Sequence, residues 1–255
     1  MWAMTRRLAI VTVLLAWLSV PAAAQVTEVA VFGAADLGLA FKEIVPKFER
    51  VLGVKVTLVL GSTGMLAKQI EHGAPADVFF AADQTFIDDL VAKGVVIPET
   101  RALYAQGRLV LATARSAGAK LTDLRQLSEP RIRHVAIANP AHAPYGRAAE
   151  QALRAVGVWN ELRPKLVYGE NIRHTLQFVE SGAAEAGLIA LSLANVATID
   201  YVLIDRALHA PLNQSVAVVR RSARPELGLA FIQFVNGGEG RVIMRRYGFL
   251  LPGEF

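Results

Sequence analysis

Residues 54–81 read VKVTLVLGSTGMLAKQIEHGAPADVFFA. Val54 to Leu60 is a β-branched, apolar run of strand length, and Asp77 to Ala81 reads as a second, buried strand. Between them Met65 to Glu71 reads as a short helix closed by Gly73 and Pro75. The turn Gly61-Ser62-Thr63-Gly64 joins the first strand to that helix. Strand, small-residue turn, helix and strand form the repeating unit of an α/β protein. The pattern extends upstream, with a strand at Val29 to Phe32 and a helical stripe at 37, 41, 44, 45 and 48. That stripe predicts a helix from Leu37 to Arg50, in which Pro46 should kink the chain or shift its register. Downstream, Thr85 to Lys93 reads as a helix ending at Gly94. Strands follow at 108–113, 134–138, 165–168, 186–190, 201–204 and 214–219, and helices at 147–156, 172–180, 225–235 and 239–247. Roughly ten strands are too many for one doubly wound domain of this length, so two smaller α/β domains with parallel sheets are expected.

Composition narrows the function. The chain of 255 residues is 53% hydrophobic and 19% charged, the opposite of a disordered composition. It has no Cys, which excludes a disulfide scaffold, a thiolate metal site, an iron–sulfur centre, a Cys nucleophile and a lipidated N-terminal Cys. Arg6 and Arg7 precede an apolar run from Leu8 to Val20, and Pro21-Ala22-Ala23-Ala24 supplies small residues at a cleavage site. Residues 1–24 therefore read as a secretory signal peptide cleaved after Ala24. The run is short for a membrane span, which needs about 20 apolar residues. Loss of Arg6 and Arg7 lowers the formal charge from +5 to +3. The expected location is the periplasm, where no ATP or NAD pool exists. Accordingly there is no G-x-x-x-x-G-K-[ST] and no G-x-G-x-x-G, and the Gly61–Gly64 turn lacks the Lys of a phosphate loop.

Catalytic constellations are absent. His72, His134, His142, His174 and His209 are scattered without H-E-x-x-H spacing, and no G-x-S-x-G occurs. Asp77, Asp83, Asp88 and Asp89 have no nucleophile to pair with. An exported enzyme is thus the weaker alternative to a receptor. The effector lobe of a transcription regulator is disfavoured by the leader and by the lack of a DNA-binding segment. Arg220, Arg221, Arg224, Arg241, Arg245 and Arg246 cluster near the C-terminus, where a solvated face is expected rather than a nucleic-acid or lipid surface.

Four β-to-α turns carry small or polar residues directly before a helix. They are Gly33-Ala34-Ala35-Asp36, Gly61-Ser62-Thr63-Gly64, Pro144-Tyr145-Gly146 and Glu170-Asn171-Ile172. Each helix start leaves unpaired N–H groups at the positive end of a dipole. Several converging starts make an anion site without Lys or Arg. Ser62 and Thr63 add hydroxyls, and Tyr145 adds its phenol or its N–H. Asp36, Thr63 and Asn171 also fit the simpler role of N-caps.

The segments VFGAADLGLAFKEI, VTLVLGSTGMLAKQIEHGAPADVFFAADQ, VAIANPAHAPYGRAAEQAL, VYGENIRHTLQFVESGAAEAGLIALS and MRRYGF resemble the periplasmic molybdate-binding proteins of ABC transporters. Those proteins have the type II solute-binding fold, and the resemblance spans nearly the whole chain after the leader. It implies an α/β, two-lobed type II periplasmic binding protein fold joined by two crossover strands. Lobe 1 would hold residues 25–107 plus 213–255 and lobe 2 residues 108–212, with the hinge near Gly107 and Asn213. It further implies capture of a tetrahedral oxyanion, molybdate or tungstate, by neutral donors at Ala35, Asp36, Ser62, Thr63, Tyr145 and Ile172. Sulfate, phosphate or arsenate are the alternative ligands. No cofactor is implied, and the partners would be the anion and a membrane permease, with the receptor a monomer. Some family members add a tyrosine at the position of Ala190, so Tyr145 is expected to stand in for it. Asp36 is a departure, since a carboxylate repels a dianion. It could cap its own helix, be protonated when the anion binds, or accept a hydrogen bond from a protonated oxyanion, which would favour phosphate-like or arsenate-like ligands over molybdate; the cap is the expectation.

Overall fold

The computed structural model describes residues 27–118 and 120–255, so the leader expected at 1–24 lies outside the described residues. Ten strands form two five-stranded sheets among these residues. The first contains β1 (Glu28–Ala34), β2 (Lys55–Gly61), β3 (Val78–Ala81), β4 (Ala102–Gly107) and β10 (Leu212–Val218), in the order β2-β1-β3-β10-β4. The second contains β5 (Leu109–Ala114), β6 (Val135–Ala138), β7 (Leu166–Gly169), β8 (Ala186–Ala190) and β9 (Ile199–Leu203), in the order β7-β6-β8-β5-β9. The chain leaves the first sheet at β4, passes Arg108 and enters the second as β5. It returns between β9 and β10 through a short turn at Arg206–Leu208.

The sheets are mixed, not wholly parallel as the β–α alternation predicts. β1 runs parallel to β2 and β3, and β6 runs parallel to β7 and β8. β10 is antiparallel to β3 and β4, and β5 is antiparallel to β8 and β9. The reason lies in the two crossings. The strand that arrives from the other sheet is not the end of a βαβ unit, so the right-handed crossover that enforces parallel pairing does not apply to it. β4 itself has no counterpart in the sequence reading, because Ala102–Gly107 contains none of the β-branched residues that mark a strand.

Side chains alternate across the first sheet as strand geometry requires. Val31, Val78 and Phe80 face one side, against Phe41, Ile44 and Phe48 of α1 (Gly38–Leu52) and Phe231 of α7 (Pro225–Asn236). There the rings of Phe41, Phe48, Phe80 and Phe231 meet edge to face at 4.9–5.6 Å between centroids, a favoured geometry. α8 (Gly238–Arg246) closes the same layer through Ile243 and Met244. Phe32, Phe79 and Ala81 face the other side, against α2 (Thr63–Glu71) and α3 (Gln84–Ala92). α1 runs through Pro46, with Ile44 before it and Phe48 after it buried in one core, so the predicted register shift does not occur. The second sheet packs against α4 (Pro144–Ala155), α5 (Trp159–Leu162) and α6 (Ile172–Glu180).

The C-terminal arginines are less free than a solvated face implies. Arg221 donates to the carbonyls of Ile70 and Glu71, Arg220 to Gly94, Arg224 to Glu28 and Arg241 to Pro252. Arg245 and Arg246 pair with Glu254 and Glu43.

Candidate functional site

The parallel strands of both sheets end at one seam. β1, β2 and β3 finish at Ala34, Gly61 and Ala81, while β6 and β7 finish at Ala138 and Gly169. In open α/β sheets this carboxyl edge is where ligands bind. All six residues named from the sequence, Ala35, Asp36, Ser62, Thr63, Tyr145 and Ile172, line one chamber there, with a cavity volume of about 10 Å³. A wider cleft of about 440 Å³ lies beside it, shares Ala35 and Asn171, and carries Lys42, Arg173 and His174. In this closed arrangement the inner chamber has room for about one water molecule, so an anion would enter as the two lobes part.

Its donors come from helix starts. Pro144 opens α4 and lacks an N–H, so Tyr145 carries the first N–H of that helix. The helix thus begins three residues before the Arg147 start that the sequence predicts, since Pro is well placed at a first helical position. Asn171 caps α6, its Oδ1 accepting from the N–H groups of Arg173 and His174 at 3.0 Å each. That leaves the Ile172 N–H, which has no intrahelical acceptor, at the chamber. α2 opens at Thr63, which is its first helical residue and not its cap; Ser62 stands at the cap position and makes no side-chain cap bond.

The hydroxyls divide their work. Thr63 Oγ1 accepts from the Ala82 N–H at 3.1 Å, which leaves its own proton to donate. Ser62 Oγ lies 2.8 Å from the His142 carbonyl and 2.7 Å from His142 Nδ1, so its proton goes to the opposite lobe. The Gly64 N–H also donates to the His142 carbonyl, at 2.9 Å. Tyr145 Oη donates to Asp36 Oδ2 at 3.0 Å. The phenol expected to serve the ligand is thus engaged by Asp36.

Asp36 does not cap its helix. The turn at Ala35–Leu37 has no side-chain cap, and the Asp36 carboxylate points across to Tyr145 and Gln214 Nε2, the latter at 2.7 Å. Ser192 Oγ donates to the Asp36 carbonyl at 2.8 Å. Burial raises Asp36 to about 6, against the lowering effect of the Gln214 and Tyr145 hydrogen bonds. Burial, and then the charge of Asp36, holds the Tyr145 phenol well above its ordinary value. Ala190 is buried at the end of β8 and does not line the chamber.

Three participants escaped the sequence reading. His142 was grouped with the scattered histidines, yet its backbone and ring meet Ser62 and Gly64. Gln214 stands in the sequence only as the first residue of a predicted strand, and it is fully buried in the structure; a polar residue opening the apolar run QSVAVV is its one sequence signal. Arg147 of α4 pairs with Asp83 at 2.7 Å and lies over the Phe86 ring, joining the two lobes beside the chamber.

Two mixed α/β sheets, a double crossover and a donor-lined chamber at the seam define a two-lobed binding protein. The family model for bacterial extracellular solute-binding proteins matches residues 29–250, and the chain belongs to that family. It is 34% identical to the molybdate-binding protein ModA of Azotobacter vinelandii, over 89% of this chain and 91% of that one. It is 33% identical to the molybdate-binding protein ModA of Rhodobacter capsulatus, over 91% of each chain. The solved structure of the Azotobacter vinelandii periplasmic molybdate-binding protein superposes with a TM-score of 0.82 at 28% identity, covering 88% of this chain and 99% of that chain.

Proposed function

We propose that the protein is a periplasmic receptor that captures molybdate or tungstate between its lobes and delivers it to an ABC permease. The carrying observation is the chamber's lining: helix starts at Tyr145 and Ile172, the Thr63 hydroxyl and the turns at Ala35 and Ser62 converge on one small hollow without Lys or Arg. Neutral donors bind a dianion through fixed dipoles and hydrogen bonds, and cost little reorganisation. The relatives named molybdate-binding proteins support the choice of ion.

On this reading residues 25–107 plus 213–255 form one lobe and residues 108–212 the other, and the chain bends near Gly107 and Asn213. Ala35, Asp36, Ser62, Thr63, Tyr145 and Ile172 are the binding residues. Residues 1–24 are the leader, cleaved after Ala24, and the mature receptor works as a monomer. It needs no cofactor and turns nothing over. The test is calorimetric titration of the leaderless protein with molybdate, tungstate, sulfate and phosphate. Saturable 1:1 binding of molybdate and tungstate, tighter than sulfate, is expected. Sulfate binding as tightly as molybdate would overturn the ion assignment.

A further inference from the structure

Asp36 is the acidic group among the chamber's lining residues, and its two oxygens differ. Oδ2 is held by Tyr145 Oη at 3.0 Å and Gln214 Nε2 at 2.7 Å. Oδ1 is buried and has no hydrogen-bond partner among the described residues. Among the described residues no cation is bonded to the carboxylate. The groups that face Asp36 are the phenols of Tyr145 on α4 and Tyr104 on β4, the neutral Gln214 on β10, and the Ser192 hydroxyl after β8. No lysine, arginine or histidine lines the chamber. An oxyanion placed there adds negative charge beside a carboxylate that is already desolvated. Such an arrangement is repulsive unless a proton lies between the two, when the like charges become a charge-assisted O–H···O⁻ bond.

We infer, on the oxyanion reading above, that the anion enters this chamber together with one proton, held between Asp36 Oδ1 and a ligand oxygen, and that Asp36 thereby sets the pH dependence of capture. The proton comes from solvent, and no bond other than one O–H is formed. Burial already draws Asp36 towards the proton, and an incoming anion draws it further in the same direction. The Tyr145 proton does not substitute for it, because burial and Asp36 keep that phenol protonated.

The experiment is titration of the leaderless protein with molybdate, and separately with sulfate, from pH 6.5 to 8.5. Each titration is run in two buffers of different ionisation enthalpy. Uptake of close to one proton per anion at pH 8 is expected, with affinity falling about tenfold per pH unit. Asp36→Asn places a neutral amide at the same position, and is expected to take up no proton and to bind with a flat pH profile. If the variant does not fold, the proton count on the unaltered protein decides alone. Binding without proton uptake and with a flat pH profile would overturn the inference while leaving the oxyanion site standing. Absence of saturable binding by any oxyanion at any pH would overturn the site reading, and the proton with it.

Discussion

Thr63 and Asp36 face the same space with opposite consequences. Thr63 Oγ1 has its acceptor side filled by the Ala82 N–H, so its single proton points to a ligand without competition. Thr63→Ala is expected to weaken molybdate binding by about 1.5–3 kcal/mol, the range for a hydrogen bond to a charged group. Calorimetry reads this directly, and an unchanged Kd would remove Thr63 from the site. Asp36 affects the apoprotein too. Its folded value of about 6 lies above the ordinary 3.8, so the folded state binds a proton more tightly than the unfolded chain. The contribution to stability is fully present below pH 3.8 and is lost as pH rises through about 6. Above that, the buried charge destabilises the fold by about 1–3 kcal/mol. Asp36→Asn should therefore raise Tm at pH 8 and give little gain at pH 4. Thermal unfolding at the two pH values checks the sign; an equal gain at both would show that charge is not the cause.

Helix starts carry the site, and Gly64 shows how closely they approach. A Cβ on Gly64 would lie 2.7 Å from the His142 carbonyl oxygen, a backbone atom of the opposite lobe that cannot swing aside. Within α2 itself alanine is preferred to glycine by about 1 kcal/mol. Gly64→Ala is thus expected to hold or raise the melting temperature while weakening anion binding by about 1–3 kcal/mol, the cost of overpacking a closed contact. Equal loss of stability and of affinity would contradict that division. The same scale shows what sequence could reveal. The Ser62-Thr63 turn and the Asn171 cap are local: short polar residues before an apolar helical stripe announce themselves, because capping is chemistry within four residues. The four turns are legible for that reason, whereas the choice of donors within them comes from the resemblance to the solute-binding family. β4, the antiparallel insertion of β10 and the Gln214–Asp36 contact were not, since each depends on residues more than a hundred positions apart meeting in one sheet or across one seam. The Asp36 side chain departs from the expected cap because Tyr145 reaches it from the other lobe, a contact that no local rule contains.

At the scale of the whole molecule the seam is held by protein contacts of unequal kind. Tyr145 to Asp36 and Gln214 lies in the buried interior, and Ser62 and Gly64 to His142 is half-buried. The Arg147–Asp83 pair at 2.7 Å lies nearer the rim, with the two side chains 38% and 25% exposed. All of these contacts join the first sheet's lobe to the second's, so each biases the balance between apart and together before any anion contributes. A binding-competent form populated to a fraction f raises the apparent Kd by 1/f, so loosening the seam weakens capture without touching the chamber. A half-exposed ion pair contributes about 0.2–1 kcal/mol, and the guanidinium over Phe86 adds about 0.5–1 kcal/mol. Arg147→Met removes both charge interactions and keeps an apolar stem over Phe86. It is expected to weaken molybdate binding by about threefold to tenfold, to enlarge the radius of gyration of the anion-free protein in small-angle scattering, and to leave the anion-saturated value unchanged. High salt should narrow the gap between variant and parent, because the pair is screened where the interior contacts are not. An unchanged anion-free radius together with unchanged affinity would mean that the buried contacts alone set the closure, and that the rim pair is incidental to it.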